Sequence, residues 1–476
     1  MSDPEKHDLP ASPTRRSFIK STSLAAASFM IVPRFVLGGK GYTAPSDKLL
    51  IAGCGAGGKG GDDINHFYKS GKAEIAYLCD VDDARAADSV KAFPKAKYYK
   101  DWRQLLDKEA KHFDAVSVST PDHNHAIIAY SAMQLGKHVY VQKPLTHDIA
   151  EVRMLVDAAK KYKVVTQMGN QGASNDGTRQ LKEWYDAGLI GDVHTIYCWT
   201  NRPVWPQGIP WPTTPAKVPA TLDWDLWLGT APKKDFVDNL VPFNWRGWWD
   251  YGTGALGDMG CHLVEAPFNV LGLQYAKDVQ ASVGSVYVGE FKQGHFPESC
   301  PPSSHITLTF PKTNKTQGDV KLHWMDGGIQ PERPDELLPN ERFGDDGNGT
   351  LFIGTKGKMI ASTYSANPLL LPTSRTKEVN VPKTIARVPG GAEGHYAQWV
   401  EGCLAGYGKT ELSSSFDKAG PLTEALLMAN LAVRGHDLRG GHIKLQWDNE
   451  QMKVTNFDAV NQYVKRQYRE GFTLKA

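Results

Sequence analysis

Three side chains in this sequence have types and spacing suited to proton transfer. Asp258 and His262 lie four positions apart in the stretch GALGDMGCHLVEA, so both fall on one face if the stretch is helical. An imidazole titrates near neutral pH, which suits it to accept or donate a proton, and a nearby carboxylate can orient it. Lys143 follows a predicted strand, at the end where parallel sheets bind ligands. The alternative for each is structural: a helix-start aspartate, a packed histidine and a surface lysine.

A glycine-rich turn indicates where a dinucleotide would bind. Gly53, Gly55 and Gly58 form a G-x-G-x-x-G pattern directly after the apolar strand KLLIAG. The first glycine permits a tight turn, the second lets the backbone approach a pyrophosphate, and the third permits close packing of helix and strand. Asp80 ends the next strand, where a carboxylate accepts hydrogen bonds from a ribose 2′-hydroxyl and repels a 2′-phosphate. The pattern therefore predicts NAD rather than NADP as the cofactor.

The elements that position these residues follow two different patterns. Between residues 48 and 170, short apolar strands alternate with segments of helical period, which is typical of a parallel sheet covered on both faces. Beyond residue 170 the strands are longer and follow one another at hairpin-like spacing, which indicates an open, mainly antiparallel sheet. We predict an α/β chain with an NAD-binding Rossmann domain over residues 41–168 and a substrate-binding α+β domain over residues 169–476.

The composition is that of a globular protein with two domains. The 476 residues exceed the size of one ordinary core, and a formal net charge of +2 gives no general attraction to nucleic acid or to a membrane surface. The six cysteines lie far apart without a C-x-x-C pair, so we expect buried thiols rather than disulfides or a zinc site. His123 and His125 resemble a metal-binding pair, but no third ligand accompanies them, and we predict no metal.

The first forty residues have the pattern of an export signal. Arg15 and Arg16 precede the apolar run SLAAASFMIV, which is too short to span a bilayer. Paired arginines in the context TRRSFIK fit a twin-arginine signal, and a disordered basic tail is the alternative. We predict a signal peptide and linker over residues 1–40, a periplasmic or otherwise exported location, and no membrane insertion of the mature chain. If the signal is not functional, the location would be cytoplasmic.

Four motifs resemble those of the Gfo/Idh/MocA oxidoreductases, in the family's order and spacing. They are STPDHNHA, VYVQKPLTH, QMGNQG and GDMGCH. The resemblance implies NAD(P)-dependent hydride transfer on a sugar, a cyclitol or a sugar derivative, with Lys143, Asp258 and His262 as the catalytic residues. It also implies a homo-oligomer that forms through the sheet of the second domain.

The same motifs suggest which residues contact the cofactor. The positions expected there are Gly53, Gly55, Gly58, Asp80, Thr120, Pro121, His125, Gln142 and Asn170. At residue 142 the chain departs from the family, which usually has glutamate before the lysine. A neutral glutamine stabilises the charge of Lys143 less than a carboxylate would.

Eight of the thirteen tryptophans lie between residues 199 and 249. Their flat rings suit the C–H faces of a sugar, or they hold a long loop against the sheet, and the two interpretations are equally supported. Polar candidates for substrate contacts in this segment are Arg202, Asn244 and Arg246, and Gln171 follows an earlier strand.

An export signal beside a dinucleotide-binding loop raises a chemical difficulty, because no NAD pool outside the cytoplasm would re-oxidise the cofactor. The twin-arginine route carries folded proteins, so the cofactor could leave with the protein and be reset within each turnover. Three functions therefore compete. They are an NAD(P)-dependent sugar or cyclitol oxidoreductase, an exported glycoside hydrolase or epimerase with tightly bound NAD and a closed redox cycle, and a non-catalytic sugar-binding protein. The presence of Lys143, Asp258 and His262 together argues against the third.

Overall fold

Two sheets organise the part of the chain that the computed structural model describes, residues 47–474. From Lys48 onward the chain forms one compact unit. The predicted signal peptide lies outside the described residues. No helix within residues 47–474 combines the length and the apolar character needed to cross a bilayer.

The first sheet has six parallel strands, which confirms the predicted Rossmann domain. Its spatial order is β3-β2-β1-β4-β5-β6. The strands are β1 (Leu49–Cys54), β2 (Ala73–Cys79), β3 (Lys97–Tyr99), β4 (Ala115–Val118), β5 (His138–Val141) and β6 (Thr166–Met168). The sequence patterns indicated five of them. The edge strand β3 has only three residues, which is too short for an apolar pattern to mark it.

Five helices belong to this alternating region. They are α1 (Lys59–Lys69), α2 (Asp83–Ala92), α3 (Trp102–Glu109), α4 (His125–Gln134) and α5 (Ile149–Tyr162). Helix α5 begins with a capping box, because the Asp148 side chain accepts from the Glu151 backbone N–H and the Glu151 side chain accepts from the Asp148 N–H. Fixed helix starts of this kind keep the strand ends in register with the helices that follow them.

The second sheet has nine strands and is mostly antiparallel, as predicted, with one parallel pair between β7 and β12. Its order is β15-β14-β13-β7-β12-β11-β8-β16-β17. The strands are β7 (Val193–Trp199), β8 (Asp278–Val283), β11 (Ser304–Phe310), β12 (Val320–Met325), β13 (Gly349–Gly354), β14 (Gly357–Ala361), β15 (Leu369–Leu371), β16 (Lys444–Asp448) and β17 (Lys453–Val454). A separate hairpin is formed by β9 (Tyr287–Gly289) and β10 (Lys292–Gln293).

The second region contains seven α-helices within residues 47–474. They are α6 (Asp176–Asp186), α7 (Trp224–Leu228), α8 (Gly254–Leu263), α9 (Glu265–Leu271), α10 (Arg375–Glu378), α11 (Gly394–Ala405) and α12 (Phe416–Arg439). Helix α12 is buried along most of its length, because it contacts β8 and β11 as well as α5 and α8. One continuous core therefore joins the two sheets. The first sheet ends at Met168 and the second begins at Val193, and the proposed division at residues 168/169 stays a prediction.

A long connection between β7 and α8, residues 200–253, forms a small core of its own. We call this segment the strap. Trp227, Trp245 and Trp248 are buried in it together with Leu228 and Tyr251. The six cysteines all lie within the described residues, and all are buried.

Candidate active site

A cleft of about 580 Å³ opens at the carboxyl ends of β1, β4 and β5, between the first sheet, helix α8 and the strap. Twelve of the sixteen residues proposed from the sequence line it. They are Gly55, Gly58, Asp80, Thr120, Pro121, Gln142, Lys143, Gln171, Arg202, Arg246, Asp258 and His262. The cleft therefore brings proposed cofactor residues and proposed substrate residues together.

The other four proposed residues do not line the cleft. Gly53 faces the side chain of Ile64, and the amide of Asn244 donates to the Asn239 carbonyl at the surface. Both ring nitrogens of buried His125 lie 2.8 Å from carbonyl oxygens, those of Pro144 and Thr120. Asn170 is buried, and its Oδ1 accepts from the hydroxyl of Ser414 at 2.5 Å. Their role in this structure is to position neighbouring segments.

Lys143 and Asp258 form an ion pair across the floor of the cleft. Lys143 Nζ donates to Asp258 Oδ1 and to the Asp258 carbonyl oxygen, both at 2.8 Å. Arg246 Nε lies 3.3 Å from the same carboxylate oxygen. Burial acts to raise the pKa of Asp258, but the charges of Lys143 and Arg246 outweigh it and lower the pKa to about 2. Asp258 is therefore ionised throughout the physiological range.

The ion pair depends on the close approach of helix α8 to the end of β5. Gly257 lies on the side of α8 that faces Pro144, and an added Cβ would stand 3.4 Å from Pro144 Cγ and would collide with Thr253. The sequence GALGDMG therefore puts a small residue where the helix contacts the Lys143–Pro144 turn. Asp258 follows one position later and can reach Lys143.

His262 lies one turn further along α8, on the same face as Asp258, as the spacing predicts. The residue is buried, and its Nδ1 has no hydrogen-bond partner within residues 47–474. Burial and the charge of Lys143 lower its pKa to about 3. The ring is thus neutral near pH 7 and keeps a lone pair that can accept a proton.

Tyr364 is a site residue that sequence reasoning missed. Its ring meets the His262 ring edge-to-face with centroids 4.7 Å apart, and it lines the cleft. The residue sits in a turn after β14 with φ of 60°, a left-handed conformation that a non-glycine residue adopts only when its surroundings impose it. Asn175 donates to the Tyr364 carbonyl at 3.0 Å and holds the turn. No motif marks this tyrosine, because only the sheet brings it to His262.

Gln142 has a partner that the sequence did not suggest. Its Nε2 donates to Oδ2 of Asp63 at 2.7 Å, and Asp63 is wholly buried in helix α1. Lys59 Nζ forms an ion pair with the other oxygen of Asp63 at 3.0 Å. From the sequence we expected residue 142 to influence the charge of Lys143. In the structure Asp258 balances the charge of Lys143, whereas Gln142 donates its hydrogen bond to Asp63.

The glycine turn at the other end of the cleft has the geometry that a dinucleotide needs. Gly55 has φ of 84°, and an added Cβ would stand 2.5 Å from the Ser119 carbonyl oxygen, so only glycine fits between the turn and the end of β4. Gly58 precedes helix α1 without any side-chain cap, so the positive end of α1 faces the cleft. Arg85 lies beside Gly58. The backbone and the charges fit a pyrophosphate.

Asp80 lines the cleft at the end of β2 and also holds the glycine turn. Its Oδ2 accepts from the backbone N–H groups of Ala56 and Gly57 at 2.8 and 3.1 Å. Burial raises its pKa, and these backbone donors oppose that shift. Oδ1 accepts from the Asp82 N–H at 3.0 Å and keeps room for one more donor such as a ribose hydroxyl. Asp80 therefore fits the role of ribose ligand, and it also holds the glycine turn in place.

The strap contacts both ends of the cleft. Beside Asp80 its backbone pairs with the first domain, because Asp223 N–H donates to the Val81 carbonyl at 2.9 Å and Asp83 N–H donates to the Thr221 carbonyl at 3.1 Å. Leu222 and Trp227 line this end of the cleft. Five of the eight tryptophans belong to the small core of the strap, and Trp227 and Trp245 also face the cleft. The interpretation of the rings as a surface for a sugar stays a prediction.

The other histidines near the cleft have structural surroundings. His123 is buried with its ring nitrogens near the carbonyl oxygens of Tyr251 and Trp227, at 3.2 and 3.0 Å. Within residues 47–474 no group of three or more histidine, cysteine or acidic side chains is placed to hold a metal ion.

The chain resembles dehydrogenases of sugars over part of its length. Levoglucosan dehydrogenase from Pseudarthrobacter phenanthrenivorans is 25% identical over 189 residues, which is 40% of this chain and 40% of that protein. A glycosyl hydrolase family 109 protein from Shewanella pealeana is 28% identical over 38% of this chain and 44% of its own length. D-glucoside 3-dehydrogenase from Escherichia coli is 24% identical over 64% of this chain and 78% of its own. The chain thus spans less than half the length of the first two.

The fold extends this resemblance to most of the chain. The structure of levoglucosan dehydrogenase in complex with NADH and levoglucosan superposes with a TM-score of 0.56, at 16% identity, over 83% of this chain and 99% of that one. Residues 48–170 match the oxidoreductase family with an NAD-binding Rossmann fold, and residues 192–295 match the C-terminal α/β domain of the same family. These two regions of the chain thus match the two domains of the Gfo/Idh/MocA oxidoreductases.

Proposed function

We propose that this protein is an NAD-dependent oxidoreductase that acts on a CH–OH group of a sugar, a cyclitol or a sugar derivative. The observation that carries the proposal is the contact between the two domains at Lys143 and Asp258, beside the neutral ring of His262 and in the same cleft as the glycine turn. The dehydrogenase names of two relatives, levoglucosan dehydrogenase and D-glucoside 3-dehydrogenase, support the substrate class.

The residues divide the chemistry as follows. When bound, NAD accepts the hydride from the carbon that carries the hydroxyl. Lys143 donates a hydrogen bond to the oxygen of that hydroxyl and stabilises the negative charge that develops on it. His262 accepts the O–H proton, because its ring is neutral, and the substrate is left as a carbonyl compound. Asp258 holds Lys143 in place and balances its charge.

The residues at the glycine turn would hold the cofactor. The N-terminus of α1 and Arg85 would bind the pyrophosphate, and Asp80 would bind the adenosine ribose. The family match over residues 48–170 supports this assignment.

The test is reduction of NAD, followed at 340 nm, with a panel of glucosides, levoglucosan and inositols. We expect His262→Ala and Lys143→Ala each to lose about 10²- to 10⁴-fold in rate while NAD still binds. The matched control is Lys465→Ala, an exposed lysine that does not line the cleft. Near-full turnover by both cleft variants would contradict the assignment.

A second candidate is an exported glycoside hydrolase or epimerase that keeps its NAD and closes its own redox cycle. The strap favours it, because hydrogen bonds at residues 221–223 join it to the first domain beside Asp80 and would hinder release of the adenosine. The similarity to a glycosyl hydrolase family 109 protein supports it too. A proposed twin-arginine signal at Arg15 and Arg16 would require such a cycle. Product that forms without net accumulation of NADH would distinguish this candidate from the first.

A further inference from the structure

The substrate end of the cleft carries more positive than negative charge. Lys143, Arg202 and Arg246 line this end, and Asp258 is the carboxylate placed among them. The other acidic side chain nearby, Asp122, accepts from the Thr253 hydroxyl at 2.7 Å, and the charges of Arg246 and Lys143 also act on it. Three cations therefore face two carboxylates.

Asp258 is already used by two of those cations. Asp258 Oδ1 lies 2.8 Å from Lys143 Nζ and 3.3 Å from Arg246 Nε. Arg202 donates from Nη1 to the amide oxygen of Asn201 at 2.6 Å, and no carboxylate of residues 47–474 forms an ion pair with it. Its other guanidinium donors have no hydrogen-bond partner within residues 47–474 and can bind a ligand.

Arg246 is held in a fixed orientation toward the cleft. Its guanidinium stacks on the rings of Phe243 and Trp245, at 4.5 and 4.4 Å from the ring centroids, and Nη1 donates to the Phe243 carbonyl at 3.0 Å. Phe243 in turn contacts the ring of Trp205, three residues after Arg202. The two arginines thus belong to one wall, and an ordered guanidinium loses little freedom when it binds an anion.

We propose that the natural substrate is an anionic sugar whose carboxylate or phosphate binds Arg202 and Arg246 while its reacting hydroxyl faces Lys143 and His262. Guanidinium groups match the oxygens of both anions in a two-point fashion. The assignment of the reacting hydroxyl rests on the proposed oxidoreductase function, whereas binding of the anion does not.

The test compares each anionic sugar with its neutral parent at low ionic strength. D-Glucuronate and D-glucose 6-phosphate are matched with D-glucose, and D-galacturonate with D-galactose, and the dissociation constants are measured by calorimetry on the NAD-loaded protein. We expect at least one anion to bind about 10-fold or more tightly than its parent. In Arg202→Gln that anion should lose on the order of 10- to 100-fold in affinity, with the neutral sugars unchanged. The control is Arg439→Gln, which alters an exposed arginine at the end of α12.

The outcomes separate the two proposals. If no anion binds more tightly than its parent, or if Arg202→Gln weakens anionic and neutral sugars equally, the anionic substrate is contradicted. Binding that depends on Arg202 without any NADH formation would support the anion site and contradict the oxidoreductase. NADH formed from neutral sugars alone would support the oxidoreductase and contradict the anion site. A preference for the uronates or for the 6-phosphate identifies the anion as carboxylate or phosphate.

Discussion

The side-chain amide of Gln142 donates to the buried carboxylate of Asp63 at 2.7 Å, in the layer directly behind Lys143. Ser119 and Lys59 complete the surroundings of Asp63, with its Oδ2 accepting from the Ser119 hydroxyl at 2.9 Å. Residue 142, where the resemblance leads one to expect glutamate, is thus a neutral donor to a carboxylate on helix α1. The buried negative charge in this layer is carried by Asp63.

We expect Gln142→Glu to destabilise the protein, because two carboxylates cannot both be ionised at this distance. The folded-state pKa of the new glutamate would be raised, so the loss should be small at pH 5 and grow as the pH rises toward 8. A loss of about 3 kcal/mol in the free energy of unfolding is the expected scale at the higher pH. Chemical denaturation at both pH values measures it.

The double variant Asp63→Asn with Gln142→Glu should recover most of that loss. The new asparagine amide can donate to the glutamate, and its oxygen can still accept from Lys59. If the double variant is no more stable than Gln142→Glu alone, the two residues do not act as a pair.

Protonation of His262 should not lower the rate of NAD reduction near pH 6.5, the ordinary pKa of histidine. Its lowered pKa of about 3 keeps the ring neutral in the folded protein, whereas the unfolded chain takes up a proton below about pH 6.5. The free energy of unfolding should therefore fall as the pH drops below 6.5, and His262→Gln should reduce that slope by up to about 1.4 kcal/mol per pH unit. Single-turnover reduction of NAD between pH 5 and 8, with denaturation in parallel, checks both. A rate that halves near pH 6.5 would show a ring that titrates normally.

Asp80→Asn should relax the preference for NAD over NADP by on the order of 10-fold, because the variant removes a charge that repels a 2′-phosphate. An asparagine oxygen can still accept from the N–H groups of Ala56 and Gly57, so the glycine turn should persist. Asp80→Ala removes both roles and should weaken both nucleotides. Dissociation constants for NAD and NADP with each variant test this, and an unchanged ratio in Asp80→Asn would assign the selectivity to another residue.

Purified protein should retain NAD through dialysis, and Arg469→Ala should release it faster. Arg469 holds both ends of helix α7 in the strap, because it donates to the carbonyls of Gly229 and Asp225 at 3.0 and 2.8 Å. Lys465→Ala, on the same C-terminal segment but exposed, is the control. Bound nucleotide after denaturation gives the measurement, and protein that emerges empty and binds NAD only at millimolar concentration would contradict a retained cofactor.

Export is tested by replacing Arg15 and Arg16 together with lysine. The charge is preserved but the arginine pair is lost, so the protein should remain in the cytoplasm if the twin-arginine signal operates. Cell fractionation with an immunoblot reads the result. Unchanged export of the double variant would contradict the twin-arginine signal.

The sequence by itself determined the two sheets and most of the cleft. Alternation of apolar strands and helical segments required a parallel sheet, and the carboxyl ends of its strands carry Gly55, Thr120 and Lys143 to one edge. The four-residue spacing of Asp258 and His262 required one helical face. These relations are local or periodic, so they can be read without knowing which distant segments meet.

Which side chains pair with the site residues depends on the tertiary structure. Lys143 is 115 residues from Asp258, and Gln142 is 79 residues from Asp63, so no spacing rule could pair them. Tyr364 reaches His262 only because β13 and β14 bring its turn back over α8. His125 and Asn170 occupy motif positions yet are buried behind the cleft, since packing against the next segment satisfies their polar groups. Residue types and periods select the elements, but charge balance and burial depend on contacts that form only when the two sheets share one core.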